Sequence, residues 1–255
     1  MIFDTHAHYD DKAFDLDRKQ IFESLQNEGV EYVVNVAADL KSSRRNLEII
    51  NEVNYFFGTI GVHPSETGEL NNENYKELEK MVAYDKIVAV GEIGLDYYWN
   101  TPERRVQKKW FEKQIDMAKK INKPIVVHSR DAAKDTLDII KETKAYDVGG
   151  VIHCFSYGID MVKEYLNLGY YIGIGGVITF KNGKKLKEVV EYMPLDKIVL
   201  ETDCPYLAPE PYRGKRNDST KLKYVVEKIA EIKNITEEEV KRVTMENAKK
   251  LYRIK

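Results

Sequence analysis

The pattern of apolar residues along the chain constrains its fold most strongly. Short apolar runs, bounded by polar residues or glycine, recur eight times in 255 residues and alternate with longer segments of helical periodicity. Eight strand-then-helix units in a chain of this length are what a (β/α)8 barrel requires. We therefore expect an α/β fold of the TIM-barrel type. The predicted strands are residues 1–8, 32–39, 56–64, 87–96, 124–131, 149–156, 170–176 and 198–205.

Helix signals separate these strands. An amphipathic segment at 18–29 ends on Gly29, which predicts a glycine C-cap, and a second amphipathic segment covers 73–85. Thr101 and Pro102 predict a capping hydroxyl and a first-turn proline for a helix over 102–122. A capping box that starts at Thr236 predicts a last helix that runs almost to the end of the chain.

An open, doubly wound sheet is the alternative architecture. Such a sheet normally carries a glycine-rich phosphate turn after its first strand, whereas the residues after strand one read HYDDKAFD and contain no glycine. The sequence has no proline-rich or low-complexity linker and no repeat shorter than the strand–helix unit. The pattern favours the barrel, as a single domain over residues 1–255.

Composition excludes several classes of protein. The net charge of −2, with 32% charged residues, gives no overall basic field that would attract nucleic acid, so any such binding must be local. The absence of a signal peptide and of a long apolar run predicts a cytoplasmic protein that does not bind membranes. Cys154 and Cys204 show no zinc-knuckle or disulfide spacing, and we expect free thiols in a reducing compartment.

Potential metal ligands follow the predicted strands. Active sites in (β/α)8 barrels gather at the carboxyl ends of the strands, and all five histidines of the chain lie at such ends, as do two acids. Side chains alternate along a strand, so His6 and His8 face the same side. We therefore expect a shared metal site. The strand-end residues are His6, His8, His63, Glu92, His128, His153 and Asp203.

The number of candidate ligands exceeds what one tetrahedral ion can use, so we expect two divalent ions. The economical arrangement gives His6, His8 and Asp203 to one ion and His128 and His153 to the other, with Glu92 as the bridge. Two ions ~3.5–4 Å apart can share and activate a hydroxide, which is hydrolytic machinery. Imidazoles and carboxylates accommodate Mg²⁺, Mn²⁺, Zn²⁺ or Ni²⁺.

Three further residues have open roles. His63 is not needed as a ligand, and it either contacts a phosphate or protonates a leaving group, or makes a structural hydrogen bond. Glu201 shares the face of Asp203, which favours a carboxylate that orients a histidine over an extra ligand. Alternation predicts that Cys154 faces the helices while His153 faces the barrel interior.

Eight sequence blocks span most of the chain: FDTHAH (3–8), GVHP (61–64), GEIGLDYY (91–98), VVHSRDA (126–132), HCFS (153–156), ETDCPYLAP (201–209), RGKRN (213–217) and NAKKLYRI (247–254). Together and in this order, they resemble the signature blocks of the TatD-related metal-dependent deoxyribonucleases, which are barrel hydrolases of the amidohydrolase-like group. Two positions depart from the family pattern: Tyr157 stands before Gly158 after HCFS, and Asp218-Ser219 replaces the usual Glu-Pro.

The resemblance implies a (β/α)8 barrel, a divalent metal site and nuclease activity on DNA, often exonucleolytic from the 3′ end. Its metal pattern falls on the same six residues: His6, His8, Glu92, His128, His153 and Asp203. We expect phosphodiester hydrolysis by metal-activated hydroxide, with Asp203 as ligand and proton relay and single-stranded DNA or 3′ ends as partner. No obligate protein partner is evident. The alternatives are an amide or ester hydrolase such as a D-aminoacyl-tRNA deacylase, or a non-catalytic binding barrel.

Candidate substrate contacts lie beside these motifs. Arg130 either pairs with a phosphate or forms an ion pair with Asp131. Tyr97, with its neighbours 98 and 99, either stacks on unpaired bases or packs the barrel rim. Arg213 belongs to the best local basic cluster, residues 213–216, which we expect at the same end of the barrel.

Overall fold

Eight parallel strands form one sheet in the order in which they occur along the chain. The computed structural model describes residues 1–99 and 101–255. Every predicted strand overlaps an observed one, and the (β/α)8 barrel is confirmed. The strands are β1 Ile2–Ala7, β2 Val30–Asn35, β3 Phe56–Ile60, β4 Ile87–Asp96, β5 Ile125–Arg130, β6 Gly150–Ile152, β7 Tyr171–Ile174 and β8 Ile198–Leu200.

The ring closes between β1 and the residues that follow β8. The amide of Asp203 donates to the His6 carbonyl over 2.9 Å, and the amide of His8 donates to the Cys204 carbonyl over 2.8 Å. Side chains add to this seam, since Thr202 donates to the buried carboxylate of Asp4 through its hydroxyl (2.7 Å) and its amide (3.1 Å). The seam therefore brings the end of β1 and the loop after β8 together.

Helices cover the outside of the barrel. Strand β4 is buried along its whole length because a barrel strand packs against the interior on one face and against helices on the other. The residue pattern of the helices is amphipathic, as in α4, which buries Trp110, Phe111 and Ile115. The helices are α1 Arg18–Leu25, α2 Leu40–Glu52, α3 Asn72–Met81, α4 Arg104–Ile121, α5 Ala133–Glu142, α6 Ile159–Asn167, α7 Lys184–Tyr192, α8 Leu222–Lys233 and α9 Glu237–Tyr252.

Two predicted helix ends are wrong and one is confirmed. Helix α1 ends at Leu25, and Gly29, with φ of 87°, lies instead in the turn that leads into β2. Helix α4 begins after Glu103 with no side-chain cap, because Pro102 stays outside it and its carbonyl accepts from Gln107. Thr236 caps α9 as predicted and accepts a hydrogen bond from the amide of Glu239.

No helix within residues 1–99 and 101–255 is both long enough and apolar enough to cross a membrane. Several predicted strands extend past the observed ones: β6 ends at Ile152 and β8 at Leu200. His153 and Asp203 consequently lie in the loops directly after these strands. The chain leaves the sheet at these points, which frees their side chains to turn toward the barrel axis.

Candidate metal centre

The carboxylate of Glu92 lies at the centre of a histidine cluster. Its Oε2 atom faces His6 Nε2 at 3.5 Å and His8 Nε2 at 3.9 Å. Its Oε1 atom faces His128 Nδ1 at 2.8 Å and His153 Nε2 at 3.0 Å. Each oxygen of this one buried carboxylate therefore meets its own pair of imidazoles, as expected for a group that bridges two sites.

The first of these sites contains His6, His8 and Asp203, which reach it from β1 and the loop after β8. Their ligand atoms lie within 4.8 Å of one another. The Nε2 atoms of the two histidines are 3.1 Å apart, and Asp203 Oδ1 lies 3.2 Å from His8 Nε2. His8 Nδ1 donates to the Val36 carbonyl over 2.8 Å. A carbonyl only accepts, so His8 carries a proton on Nδ1, and loss of the second proton would leave its Nε2 lone pair free for a cation.

The second site lies between β4, β5 and β6. His128 approaches Glu92 through Nδ1, while its Nε2 atom lies 3.0 Å from Asp96 Oδ2. Asp96 is held by Gln107, which bonds both its amide and its carbonyl (2.8 and 2.9 Å). A histidine that binds a metal usually donates its other N–H to a carboxylate, and Asp96 is placed to accept it.

Charge at the cluster favours bound cations. Burial lowers the pKa of His8, but the hydrogen bond and charge of Asp203 outweigh burial and raise it to about 9. Burial likewise opposes the charge of His153, yet Glu92 raises its pKa to about 10. Buried carboxylates that raise the pKa of neighbouring imidazoles carry negative charge that is otherwise not neutralised. The lone pairs and carboxylate oxygens that converge here therefore fit divalent ions.

His63 contributes a hydrogen bond of defined direction. It follows β3, and its Nδ1 atom accepts from the amide of Ser65 (3.2 Å), which caps a short 3₁₀ turn. Burial lowers the pKa of His63 to about 3, so the ring is neutral and carries its proton on Nε2. That nitrogen points into the site, 3.8 Å from Glu92 Oε1. The ring thus offers a donor toward the site, together with the structural bond considered as the alternative.

Glu201 lies beneath the cluster, toward the barrel interior. A Cβ at residue 173 would come within 2.1 Å of its Oε2 atom, so Gly173 makes room for this carboxylate. His6 and His153 stack at 3.8 Å between ring centroids, and the Nδ1 atom of each is buried and unpartnered within the described residues. Oε2 of Glu201 is unpartnered in the same way, and its Oε1 lies 3.8 Å from His153 Nδ1. Burial raises the pKa of Glu201 to about 7.

The structure thus brings all six predicted metal ligands together, and His63 beside them. Their roles remain predictions. Asp96 was missed by sequence reasoning, although it ends the same strand that carries Glu92 and was visible in the run GEIGLDYY. A search for acids two and four residues along each strand would have found it, because those side chains share a face.

The predicted substrate residues lie farther out. The Tyr97 hydroxyl donates to Asp135 over 2.7 Å, and the tyrosine is half-buried in the rim rather than open to the site. Arg130 lies with its guanidinium 3.8 Å from the centroid of the Tyr98 ring, and the structure records no ion pair between it and Asp131. Trp99 is 64% exposed and lines the cavity of about 700 Å³ above the cluster, as Arg130 does. These contacts leave the binding roles of Tyr97 and Arg130 as predictions.

Arg213 lines a different cavity, which is described below, and does not reach the cluster. The two cysteines are free thiols, as predicted. Cys154 lies beyond the end of β6, with φ of 45°, and lines a small cavity together with Glu201, Asp203 and Leu186 of α7. Its predicted orientation toward the helices stays a prediction.

Comparison with known proteins points in one direction. A family model described as TatD related DNase matches residues 3–253. The Bacillus subtilis protein named uncharacterized metal-dependent hydrolase YabD is 43% identical, with all of both chains covered. The Escherichia coli K12 protein named uncharacterized metal-dependent hydrolase YcfH is 37% identical over 99% of this chain and 96% of its own. The crystal structure of the E. coli K12 TatD homologue YjjV superposes with a TM-score of 0.94, at 26% identity, over 100% and 98% of the two chains.

Proposed function

Because the chain belongs to the TatD-related DNase family and is a metal-dependent hydrolase, we propose that it hydrolyses phosphodiester bonds of DNA. The observation that carries this proposal is the position of Glu92 between two sets of histidines. Hydrolases with two adjacent ions use them on both the attacking and the leaving oxygen of an in-line displacement, which suits a phosphodiester. The matched family model is itself named for DNase activity.

The residues that would hold the ions are those predicted from the strand ends. His6, His8 and Asp203 would hold one ion, His128 and His153 the other, and Glu92 would contact both. Divalent ions, when bound here, supply activation of water and neutralisation of the charge that develops on the phosphoryl group. This mixed set of imidazole and carboxylate ligands accommodates Mg²⁺, Mn²⁺, Zn²⁺ or Ni²⁺.

The chain's own groups then orient the substrate and accept protons. We assign the carboxylate of Asp203 the role of proton acceptor for the attacking water, since it is 19% exposed while Glu92 is buried. His63 would donate through Nε2 to a non-bridging phosphate oxygen. The guanidinium of Arg130, fixed against Tyr98 at the cavity wall, would contact the flanking phosphate.

The test is hydrolysis of a 3′-labelled single-stranded oligonucleotide by purified protein, with and without chelator. We expect cleavage that needs metal and that is abolished in Asp203→Asn with the fold retained. Full activity of Asp203→Asn would overturn the assigned role. Release of single nucleotides from the labelled end would support the proposed 3′ exonuclease and DNA partner, and slower release from the same strand in a duplex would support the single-strand preference. The cytoplasmic location also stays a prediction.

Hydrolysis of an amide or ester, as in a D-aminoacyl-tRNA deacylase, is the second candidate. The same ligands and the same neutral donor from His63 would polarise a carbonyl. The discriminating measurement is turnover of acylated RNA beside single-stranded DNA under identical metal loading. Release of the acyl group with intact DNA would favour this candidate over the nuclease.

A further inference from the structure

A second cavity opens beside the metal centre and shares a wall with it. This side groove, of about 760 Å³, lies between residues 11–13, Phe180, and the segments 205–208 and 213–216. Asp11 and Tyr206 line both the groove and the cavity over the cluster. The groove therefore adjoins the site of the proposed chemistry across these two residues, and its volume is that of a pocket for a small organic ligand.

Tyr206 stands at the junction of the two cavities. Its amide donates to the carbonyl of Asp203 over 2.9 Å, which ties it to the proposed ligand. Its hydroxyl donates to Asp11 over 3.0 Å, which fixes the orientation of the ring. The ring is nonetheless 57% exposed. A large aromatic ring held in place and left open to solvent is a surface on which an unpaired base can stack.

Cations line the far side of the groove. Residues 212–215 form a turn in which the Lys215 amide donates to the Tyr212 carbonyl (2.9 Å), and Gly214, with φ of 84°, supplies its left-handed position. Arg213 and Lys215 flank that glycine and are exposed. The Arg213 guanidinium lies 4.3 Å from the centroid of the buried Phe180 ring, which holds it against the groove wall.

These cations differ from their neighbour Arg216. Arg216 is bound to Asp17 and donates to the Ala13 carbonyl over 2.7 Å, so it anchors the segment. Arg213, Lys215 and Lys12 form no ion pair with any residue in 1–99 or 101–255. The only acid along the groove lining is Asp11, and the Tyr206 hydroxyl already occupies one of its oxygens.

We propose that the side groove holds the nucleotides next to the scissile phosphate of a single-stranded polynucleotide. A base stacks on Tyr206, and the following phosphates contact Arg213 and Lys215. The proposal rests on the proposed function, because it takes the scissile phosphate to lie over the metal centre. It assigns to this chain, of net charge −2, a local basic track that starts at the active site.

The experiment measures binding and turnover separately in the metal-loaded full chain. Binding of a fluorescent phosphorothioate oligothymidine is followed by anisotropy, and turnover is compared between the normal oligonucleotide and a small chromogenic phosphodiester. We expect Arg213→Ala and Tyr206→Leu each to weaken oligonucleotide binding about ten-fold. The kcat/KM for the oligonucleotide should fall by a similar factor relative to that for the small diester. Arg213→Ala should also reduce the slope of log affinity against log salt by about 0.7.

Two variants serve as controls. Tyr206→Phe keeps the stacking ring but loses its bond to Asp11, and should bind more tightly than Tyr206→Leu. Lys250→Ala removes an exposed lysine from α9, outside the lining of either cavity, and should change neither binding nor turnover. Wild-type affinity in both Arg213→Ala and Tyr206→Leu, in a protein that cleaves DNA, would overturn the groove proposal. Binding that depends on these residues, without cleavage, would support the groove and overturn the nuclease assignment.

Discussion

At the scale of single residues, the surroundings of His63 distinguish a hydrogen-bond donor from a general acid. Its Nδ1 atom accepts from the Ser65 amide, and burial lowers its pKa to about 3, so it donates through Nε2 as a neutral ring. A neutral donor stabilises charge but does not release a proton readily. The geometry therefore favours a hydrogen-bond role over the general-acid role that the sequence left open.

We predict that His63→Gln, which can still present an N–H, keeps more activity than His63→Ala. Loss of one preorganised donor to a developing oxyanion costs about 10²–10³-fold in kcat, and this is the expected deficit of His63→Ala. Steady-state kinetics on the oligonucleotide measure both variants under saturating metal. Equal losses in the two variants would point instead to proton transfer by the imidazole.

Glu201 lies among several buried polar atoms that have no hydrogen-bond partner within the described residues. His6 and His153 each aim an unpartnered Nδ1 atom at the interior, where Glu201 also has an unpartnered oxygen. When the Nε2 lone pairs of these rings face cations, both Nδ1 atoms carry protons and need an acceptor. Glu201 is the carboxylate placed to accept them, which supports an orienting role for this residue over that of an extra ligand.

We predict that Glu201→Gln weakens metal binding by about 10–100-fold, the usual cost of losing a carboxylate that orients a ligand histidine. Calorimetric titration of the chelator-treated protein with Mn²⁺ gives the affinity directly. Asp147→Asn, an exposed carboxylate in the loop before β6, is the matched control and should bind as the wild type. Unchanged metal affinity in Glu201→Gln would show that Glu201 does not orient the metal-binding histidines.

At the scale of elements, the seam between β1 and β8 depends on side chains. Strand β8 is only three residues long, and the carboxylate of Asp4 in β1 accepts from Thr202 in the loop after β8 and from Ser219 in the turn before α8. A buried carboxylate that loses a donor bears a desolvation cost of about 1–3 kcal/mol. The closure of the barrel therefore concentrates stability in a few polar contacts.

We predict that Thr202→Val lowers the free energy of unfolding by about 1–3 kcal/mol, because it removes a hydroxyl donor from Asp4. Urea denaturation at fixed metal concentration measures the change. Thr244→Val is the control, since that buried hydroxyl bonds only within α9, to the Val240 carbonyl, and its loss should cost less than about 1 kcal/mol. Equal losses of unfolding free energy in the two variants would show that the seam contributes no more to stability than an ordinary buried hydrogen bond.

Elements of this fold were predictable to different degrees. All eight strands follow from apolar runs because a strand buried on both faces is nearly continuous in hydrophobicity, as in β4. Helix ends were less predictable. Thr101 and Pro102 carry the residue types of a helix start, yet α4 begins after Glu103, since Gln107 uses its side chain to bond the Pro102 carbonyl. The same side chain also bonds Asp96 at the end of β4, and a contact with another element is not visible in the residues around the helix start.

The same contrast holds at the site. Ligands at strand ends were predictable because barrel geometry brings strand ends together. The spacing of Asp96 from Glu92 and of Glu201 from Asp203 is visible in the sequence, but the ring nitrogen that each acid faces is not. Tyr206 depends on how the loop after β8 folds back on residue 11. Contacts between segments far apart in the chain leave no pattern in sequence spacing.

At the scale of the whole molecule, the metal centre and the stability of the barrel are linked. The cluster joins β1, β4, β5, β6 and the loop after β8. Unbalanced negative charge in the cluster therefore destabilises most of the barrel. Without metal, protons on His8 and His153 supply that charge, and this explains why their pKa values rise above 6.5, to about 9 and about 10. Metals and protons therefore compete for the same nitrogens.

This competition predicts that the free energy of unfolding of the metal-free protein falls as pH rises, whereas the stabilisation by added metal grows. A folded-state pKa raised above that of the unfolded chain adds stability at low pH, and this stability is lost as pH rises through the folded value. We therefore expect the chelator-treated protein to lose a few kcal/mol of stability between pH 7 and 9, because folded His8 and His153 still hold protons that the unfolded chain has already lost. Glu201, with its pKa of about 7, is half protonated at the lower edge of this window and adds a smaller loss of the same sign, because the unfolded carboxylate is already ionised there.

Added Mn²⁺ should stabilise the protein more at pH 9 than at pH 7, because it binds imidazoles that no longer hold protons. Thermal unfolding at both pH values, with chelator and with excess Mn²⁺, gives the four midpoints needed. The double variant His8→Asn and His153→Asn should lose most of the decline seen with chelator, since the two groups whose pKa values rise furthest into this window are gone. If Mn²⁺ raised the midpoint equally at both pH values, the ion would not be displacing protons from these histidines, and the assignment of the cluster as its ligands would be wrong.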